Sequence, residues 1–151
     1  MIMQCIHQDD RREVWFAAMD AADDFYSPFD ERPYVLLLIN HDSGLSDADR
    51  LRWSTEIVSS NCRYAICAGI DGSIWDDTLD WAFVDTHIET TDEMLLTTWH
   101  DEEPFEDVLR FSFDQARFGA YPLNHYLVLC LGSHPRQITQ VVADLTQYLQ
   151  R

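Results

Sequence analysis

Three histidines and two aspartates in this chain could carry proton-transfer or metal chemistry, because each lies just beyond an apolar segment. They are His41, Asp42, His100, Asp101 and His134. Imidazole and carboxylate groups act as general acids and bases and are common ligands of metal ions. We therefore take His100, Asp101 and His41 as candidate catalytic residues, and His41, Asp42, His100 and His134 as candidate metal ligands.

No local motif assigns these residues to a known kind of site. None of the histidine spacings matches a metal-binding pattern such as HExxH. No GxGxxG or GxxxxGK loop follows an apolar segment, and most expected helix starts already carry acidic residues, which disfavours phosphate or nucleotide binding. A shared site therefore requires a fold that brings separate segments together.

Four apolar segments of strand length alternate with segments of helical periodicity. They span residues 34–39, 63–69, 94–96 and 126–131. The alternation predicts an α/β fold: a three-layer, mostly parallel four-stranded sheet, Rossmann-like or flavodoxin-like, with helices on both faces. All strand carboxyl ends of a parallel sheet lie along one edge, so this fold would gather the histidines and aspartates there.

The chain length of 151 residues fits one domain, residues 1–151. Its beginning predicts a helix that Asp9 and Asp10 cap, so that residues 1–33 form a helix and a connector packed on the sheet. The helix-spaced apolar residues are Val14, Ala17, Ala18, Ala21 and Phe25. The alternative is a mixed sheet, in which residues 1–6 or part of 87–93 add an antiparallel edge strand.

Three later helices have recognisable starts. Ser46, followed three residues later by Asp49, predicts a cap for a helix that ends near Ser60. Ser73 can cap the next helix, and Pro104 suits the first turn of the one after.

The net charge of the chain limits the kinds of partner that it can bind. The chain has 27 acidic and 10 basic residues, a formal net charge of −17, and all the basic residues are arginine. A phosphate backbone would be repelled, whereas a basic protein would be attracted rapidly and with strong salt dependence. We therefore expect no nucleic-acid partner.

The sequence has no apolar stretch of membrane-spanning length and no basic, apolar leader. We therefore expect no membrane partner, and we expect a cytoplasmic location. The four cysteines form no CxxC pattern and are interpreted as structural thiols.

Aromatic residues are interleaved with the acidic ones, a pattern typical of interfaces that use buried anchors within a charged rim. The candidate partner-binding residues are Asp76, Asp77, Asp80, Trp99, Asp101, Glu102, Glu103, Glu106 and Asp107. Helical spacing instead favours the core for Trp75, Trp81 and Phe105.

Residues 97–109, TTWHDEEPFEDVL, together with the VLLLIN and YLVLCLG segments, resemble a family of small uncharacterised bacterial α/β proteins. In that family a Thr-Thr-Trp-His-acid run opens an acidic helix. The resemblance spans residues 34–132 and implies an α/β fold but no established activity. It makes Thr98, Trp99, His100 and Asp101 the first residues to test.

The sequence favours an acidic, non-enzymatic binding protein that sequesters a basic protein, as immunity proteins and antitoxins do, with no cofactor. The alternative is a metal-dependent hydrolase or regulator that uses a His/Asp cluster at the strand carboxyl edge. A homodimer, or a subunit of a larger complex, is a third interpretation.

Overall fold

The computed structural model describes residues 1–87, 94–118, 123–132 and 134–151. Within these residues the chain forms six strands, four α-helices and one π-helical turn. They are β1 (Ile2–Gln8), β2 (Glu13–Met19), β3 (Tyr34–Asn40), α1 (Asp47–Ser59), β4 (Cys62–Gly69), α2 (Gly72–Thr86), β5 (Leu96–His100), α3 (Phe105–Arg110), the π turn (Phe111–Gln115), β6 (His125–Leu131) and α4 (Pro135–Leu149).

The strands form a single mixed sheet in the order β1-β2-β6-β3-β4-β5. β1 is antiparallel to β2, and every other neighbouring pair within the described residues is parallel. The α/β class and the mostly parallel sheet are confirmed. The prediction of four strands is wrong, because β1 and β2 add two strands beside β6.

The predicted first helix is a strand. Residues 13–19, EVWFAAM, pair with β6 along their whole length, and Phe16 and Ala17 are fully buried. The alanine spacing fits a helix, but Val14, Trp15 and Phe16 are β-branched or aromatic and pack well on a pleated surface. Pairing on both sides of β2 overrides the local helical pattern.

The alternative of an antiparallel edge strand at the amino end is confirmed, with β1 at Ile2–Gln8. The other proposed edge lies largely in residues 88–93, outside the described residues. His87, which precedes them, forms the carboxyl cap of α2.

The third predicted strand begins and ends later than expected. β5 starts at Leu96 and continues to His100, so that Thr97, Thr98 and Trp99 belong to the strand and do not lead out of it. β-branched threonine and aromatic tryptophan suit strands, which explains the extension. α3 begins at Phe105, so Pro104, which was predicted to lie in the first turn, is instead the N-cap residue, and the helix leads into the π turn.

The predicted cap of α1 is confirmed, since Ser46 Oγ accepts a hydrogen bond from the Asp49 N–H at 3.1 Å. The predicted Ser73 cap of α2 is wrong. That helix begins at Gly72, and Asp71 at its N-cap has a left-handed backbone, with φ of 59°.

The sheet separates two apolar cores. Leu36 and Leu38 of β3 face the core that contains α1 and α2, where the rings of Trp53 and Trp75 stack with centroids 6.3 Å apart. Val35 and Leu37 face the core that contains α3 and α4. Helices thus cover both faces, but three layers are matched only roughly, because α3 has six residues and covers little of its face.

The four cysteines are free thiols; Cys62, Cys67 and Cys130 are buried and Cys5 is exposed. Burial raises the pKa of Cys62 and of Cys130 to about 12, and burial also raises the pKa of Cys67 well above its usual value. Among the described residues, no helix is long and apolar enough to cross a membrane.

Candidate functional site

A cavity of about 590 Å³, here called the α3–α4 cavity, lies at the carboxyl ends of β3, β4 and β5. His41 and His100, from strands that are not adjacent, both line it. Its other lining residues include Ile39, Ala68, Ile70, Glu102, Glu103, Phe105, Val108, Gln137, Gln140, Val141 and Asp144. The parallel sheet therefore brings two of the three predicted histidines to one place.

His41 follows the buried strand β3, and its backbone N–H donates to the Leu131 carbonyl at 2.8 Å. The side chain is half-buried, and burial lowers the pKa of its imidazole below the ordinary value of 6.5. The neutral form therefore predominates at pH 7. Nδ1 is buried and makes no hydrogen bond within the described residues.

His100 is held on three sides. Its Nε2 is 3.0 Å from Thr98 Oγ1, and its Nδ1 pairs with the Glu103 carboxylate. The ring packs on Phe111 of the π turn, with centroids 4.6 Å apart. Because both ring nitrogens have partners and 10% of the side chain is exposed, this imidazole has a fixed position and little freedom to ligate a metal.

The other predicted ligands and catalysts lie elsewhere. The Asp42 carboxylate accepts from the Gly44 N–H at 2.7 Å and shapes the loop after β3. Asp101 lies beside the start of α2, where its Oδ1 would be 2.7 Å from a Cβ added at Gly72. His134 is the N-cap residue of α4 and is exposed.

No group of three or more His, Cys, Asp or Glu side chains suited to a metal ion forms among residues 1–87, 94–118, 123–132 and 134–151. The candidate ligands His41, Asp42, His100 and His134 are thus not brought into one cluster.

Asn40 is the residue at this edge that sequence reasoning missed. It is fully buried at the end of β3, and its Nδ2 donates to the carbonyls of Ile70 at 2.9 Å and Asp42 at 3.1 Å. Its Oδ1 accepts from the Asp42 N–H at 2.9 Å. The amide ties together the loops after β3 and β4, and a polar residue closing a run of six apolar ones was the available signal.

A second cluster of polar residues joins α2 to β5. Thr97 Oγ1 lies 3.1 Å from both Asp76 Oδ1 and Asp80 Oδ1. Burial, and after it repulsion between neighbouring aspartates, raises the pKa of both carboxyl groups above 3.8. Asp76 was predicted to contact a partner, but its side chain is buried, with 4% exposed, and does not lie on the protein surface.

The outer face of α2 carries large apolar side chains among acidic ones. Ile74, Trp81 and Val84 are all exposed, Trp81 by 73%. They share this face with the exposed aspartates Asp77, Asp80 and Asp85. The prediction of a core position is correct for Trp75, which is fully buried, and wrong for Trp81.

β5 borders this helix and, within the described residues, pairs only with β4. Its Trp99 is 58% exposed and lies on the same side of the strand as Thr97, toward α2. We call the exposed side chains of Ile74, Asp77, Asp80, Trp81, Val84 and Trp99 the α2–β5 surface.

The acidic residues of α3 form a different surface. The Arg110 guanidinium lies 3.0 Å from Asp107 and 3.8 Å from Glu106, and Arg151 reaches Glu106 at 3.0 Å. Arginines thus partly neutralise this helix, whereas neither α2 nor β5 contains an arginine.

Together, these elements define a mixed α/β domain with a ligand-sized cavity at the strand carboxyl edge and an acidic, aromatic surface at one side of the sheet. The chain belongs to the family described as Domain of unknown function (DUF7684), whose model matches residues 14–150. The match confirms an uncharacterised family and extends beyond residues 34–132. Comparisons with curated proteins and with solved structures returned no match.

Proposed function

We propose that this domain binds a basic protein through the α2–β5 surface and neutralises it in the cytoplasm, as an immunity protein or antitoxin does. The observation that carries the proposal is the exposure of Trp81, Ile74 and Val84 in a helix face that otherwise presents aspartates. Large apolar side chains exposed together on one helix face favour a binding role for that face.

Aromatic anchors would supply most of the affinity. Tryptophan is among the residues enriched at binding hot spots, and two exposed tryptophans, Trp81 and Trp99, belong to this one surface. Burial of such a side chain contributes about 1.5–3 kcal/mol from apolar area. Burial of both tryptophans would therefore add affinity to a complex that electrostatic attraction alone would hold weakly.

Charge would select the partner. The α2–β5 surface has no arginine to neutralise Asp77 and Asp80, and the whole chain carries −17. A second copy of the chain would be repelled by the same charge, so a basic protein is favoured over a homodimer. Size-exclusion chromatography with light scattering tests this preference; a stable dimer at low salt would contradict it.

The proposed function is tested by affinity capture from the native organism, using the wild-type chain, Trp81→Ala/Trp99→Ala and a control, Leu51→Ala. Leu51 is also an exposed apolar residue, 54% accessible, but lies on α1. We expect a captured basic protein that rebinds after purification in a one-to-one complex, weakens as salt rises, and is lost only with the tryptophan variant. Equal loss with Leu51→Ala, or capture that is independent of both, would refute the proposal.

A second candidate function, a metal-dependent hydrolase or regulator, is favoured by the presence of His41 and His100 in one cavity. It ranks lower because both nitrogens of His100 already have partners. Thermal denaturation with Zn²⁺, Mn²⁺, Mg²⁺ or Ni²⁺ tests it, since a metal that binds the native state raises the melting temperature. We expect a shift that His41→Ala abolishes if this function is correct.

A further inference from the structure

We infer that the α3–α4 cavity is a binding site for a small organic cation, an amine joined to an apolar body. The inference is independent of protein binding at the α2–β5 surface, because the cavity lies on the opposite face of the sheet. It depends on the size of the cavity, the composition of its walls and the sign of its charge.

The cavity follows from the sheet order and from the helix lengths. β3 and β4 end beside one another at its floor, where Ile39 and Ala68 are exposed by only 4% each. The six-residue α3 covers one side and α4 the other. Its volume of about 590 Å³ falls within the range of sites for small molecules, and the carboxyl edge of parallel strands is where α/β folds bind ligands.

The walls suit an apolar body of aromatic or branched aliphatic size. Phe105 and Val108 contribute from α3, and Val141 contributes from α4. Gln137 and Gln140, one turn apart on α4, add amide groups that can orient a ligand. A few polar groups around a mainly apolar lining are typical of sites that bind one small molecule.

Three side chains in this lining carry a carboxyl group: Glu102, Glu103 and Asp144. Glu103 pairs with His100, and Asp144 accepts from Gln140 Nε2 at 2.8 Å. Glu102 has no hydrogen bond or ion pair within the described residues. No arginine among the described residues lines the cavity, so its side-chain charges repel a carboxylate or phosphate and attract an ammonium group.

The amino ends of the strands provide an internal contrast. A cavity of about 390 Å³ there, at the starts of β2 and β6, is lined by three arginines, Arg11, Arg12 and Arg117, and by one acidic residue, Asp10. The two cavities therefore have opposite charge in one molecule. An anionic probe of the same shape as the amine therefore tests whether the charge of the α3–α4 cavity selects its ligand.

The test uses calorimetric titration with tryptamine and phenethylamine, and with indole-3-propionate as the anionic counterpart, at low and physiological salt. The wild-type chain should bind at least one amine saturably and one-to-one. Gln140→Trp, which fills the cavity from an exposed position, should abolish that binding. Glu102→Gln should weaken it at least tenfold, whereas Glu31→Gln, an equal charge change at an exposed residue outside the cavity, should leave it within twofold.

Four results would overturn the inference. One is the absence of saturable binding by either amine, and the second is full binding by the folded Gln140→Trp variant. The third is an equal loss with Glu31→Gln, which would show that overall charge and not the cavity attracts the amine. The fourth is direct competition between indole-3-propionate and tryptamine, which would contradict selection by charge.

Discussion

Replacement of Asp80 by asparagine should stabilise the protein at neutral pH. The hydroxyl of Thr97 has one hydrogen, yet Asp76 Oδ1 and Asp80 Oδ1 both lie 3.1 Å from its oxygen. The hydroxyl can donate to only one of the two carboxylates. The other carboxylate oxygen then faces the Thr97 oxygen with no hydrogen between them, unless that carboxyl group is protonated. This conflict, together with burial and charge repulsion, favours a raised pKa in both groups.

The magnitude follows from the same geometry. The two oxygens can be no more than about 6 Å apart, where like charges repel by about 0.7 kcal/mol in water and about 3 kcal/mol at an effective dielectric constant of about 20. Asp80 is exposed, which places the energy toward the lower figure. We expect Asp80→Asn to raise the free energy of unfolding by about 1 kcal/mol at pH 7.

The effect of Asp80→Asn on stability should depend on pH. Because the folded pKa values of Asp76 and Asp80 are raised, the native state binds more protons than the unfolded state just above pH 3.8. Their contribution to stability is complete below that pH and is lost as the pH rises through the folded pKa values. The gain from Asp80→Asn should therefore be present at pH 7 and disappear near pH 3.5.

Urea unfolding followed by circular dichroism at several pH values measures this difference. Glu31→Gln serves as the control for the removal of one negative charge, since Glu31 is exposed in the connector. A loss of stability on Asp80→Asn at pH 7, or an equal gain at pH 3.5 and at pH 7, would refute the reasoning.

Three further predictions concern the backbone and the termini of elements. Gly69 has φ of +82°, and an added Cβ would lie 2.3 Å from the Asn40 carbonyl oxygen, so Gly69→Ala should destabilise the fold by about 2 kcal/mol or more in urea unfolding. Ser46→Ala removes the α1 cap and should cost about 1 kcal/mol, whereas Ser46→Asp should retain most of the stability. Hydrogen bonds from the N–H groups of Arg11 and Arg12 lower the pKa of Asp9 to about 2, so its carboxyl resonance should titrate near pH 2 and its stabilising effect should fade as the pH drops through that value. An NMR midpoint near pH 4 would contradict this last prediction.

The apolar strands could be predicted from the sequence because their residues are almost all apolar and the segments are of strand length. β3 and β6 are continuous apolar runs, and such runs are typical of strands covered on both faces. The sequence of β2 predicts a helix because Ala17 and Ala18 suit both structures, and pairing with β1 and with β6 makes the segment a strand. β6 lies more than a hundred residues away, and local sequence does not encode that pairing.

The site was predictable only in part, for a related reason. Parallel strands guarantee that residues at their carboxyl ends share an edge, and His41 and His100 accordingly line one cavity. His134 shares the edge but caps α4 outside the cavity. The cavity itself depends on the shortness of α3 and on its spacing from α4, which residue periodicity does not specify.

The distribution of thiols makes the folded protein selectively reactive. Cys5 on the edge strand β1 is exposed, while the three remaining thiols lie in the cores with strongly suppressed ionisation. A maleimide dye should therefore label one position of the native chain without mutagenesis. Progressive labelling of the other three would report each opening of the sheet in real time.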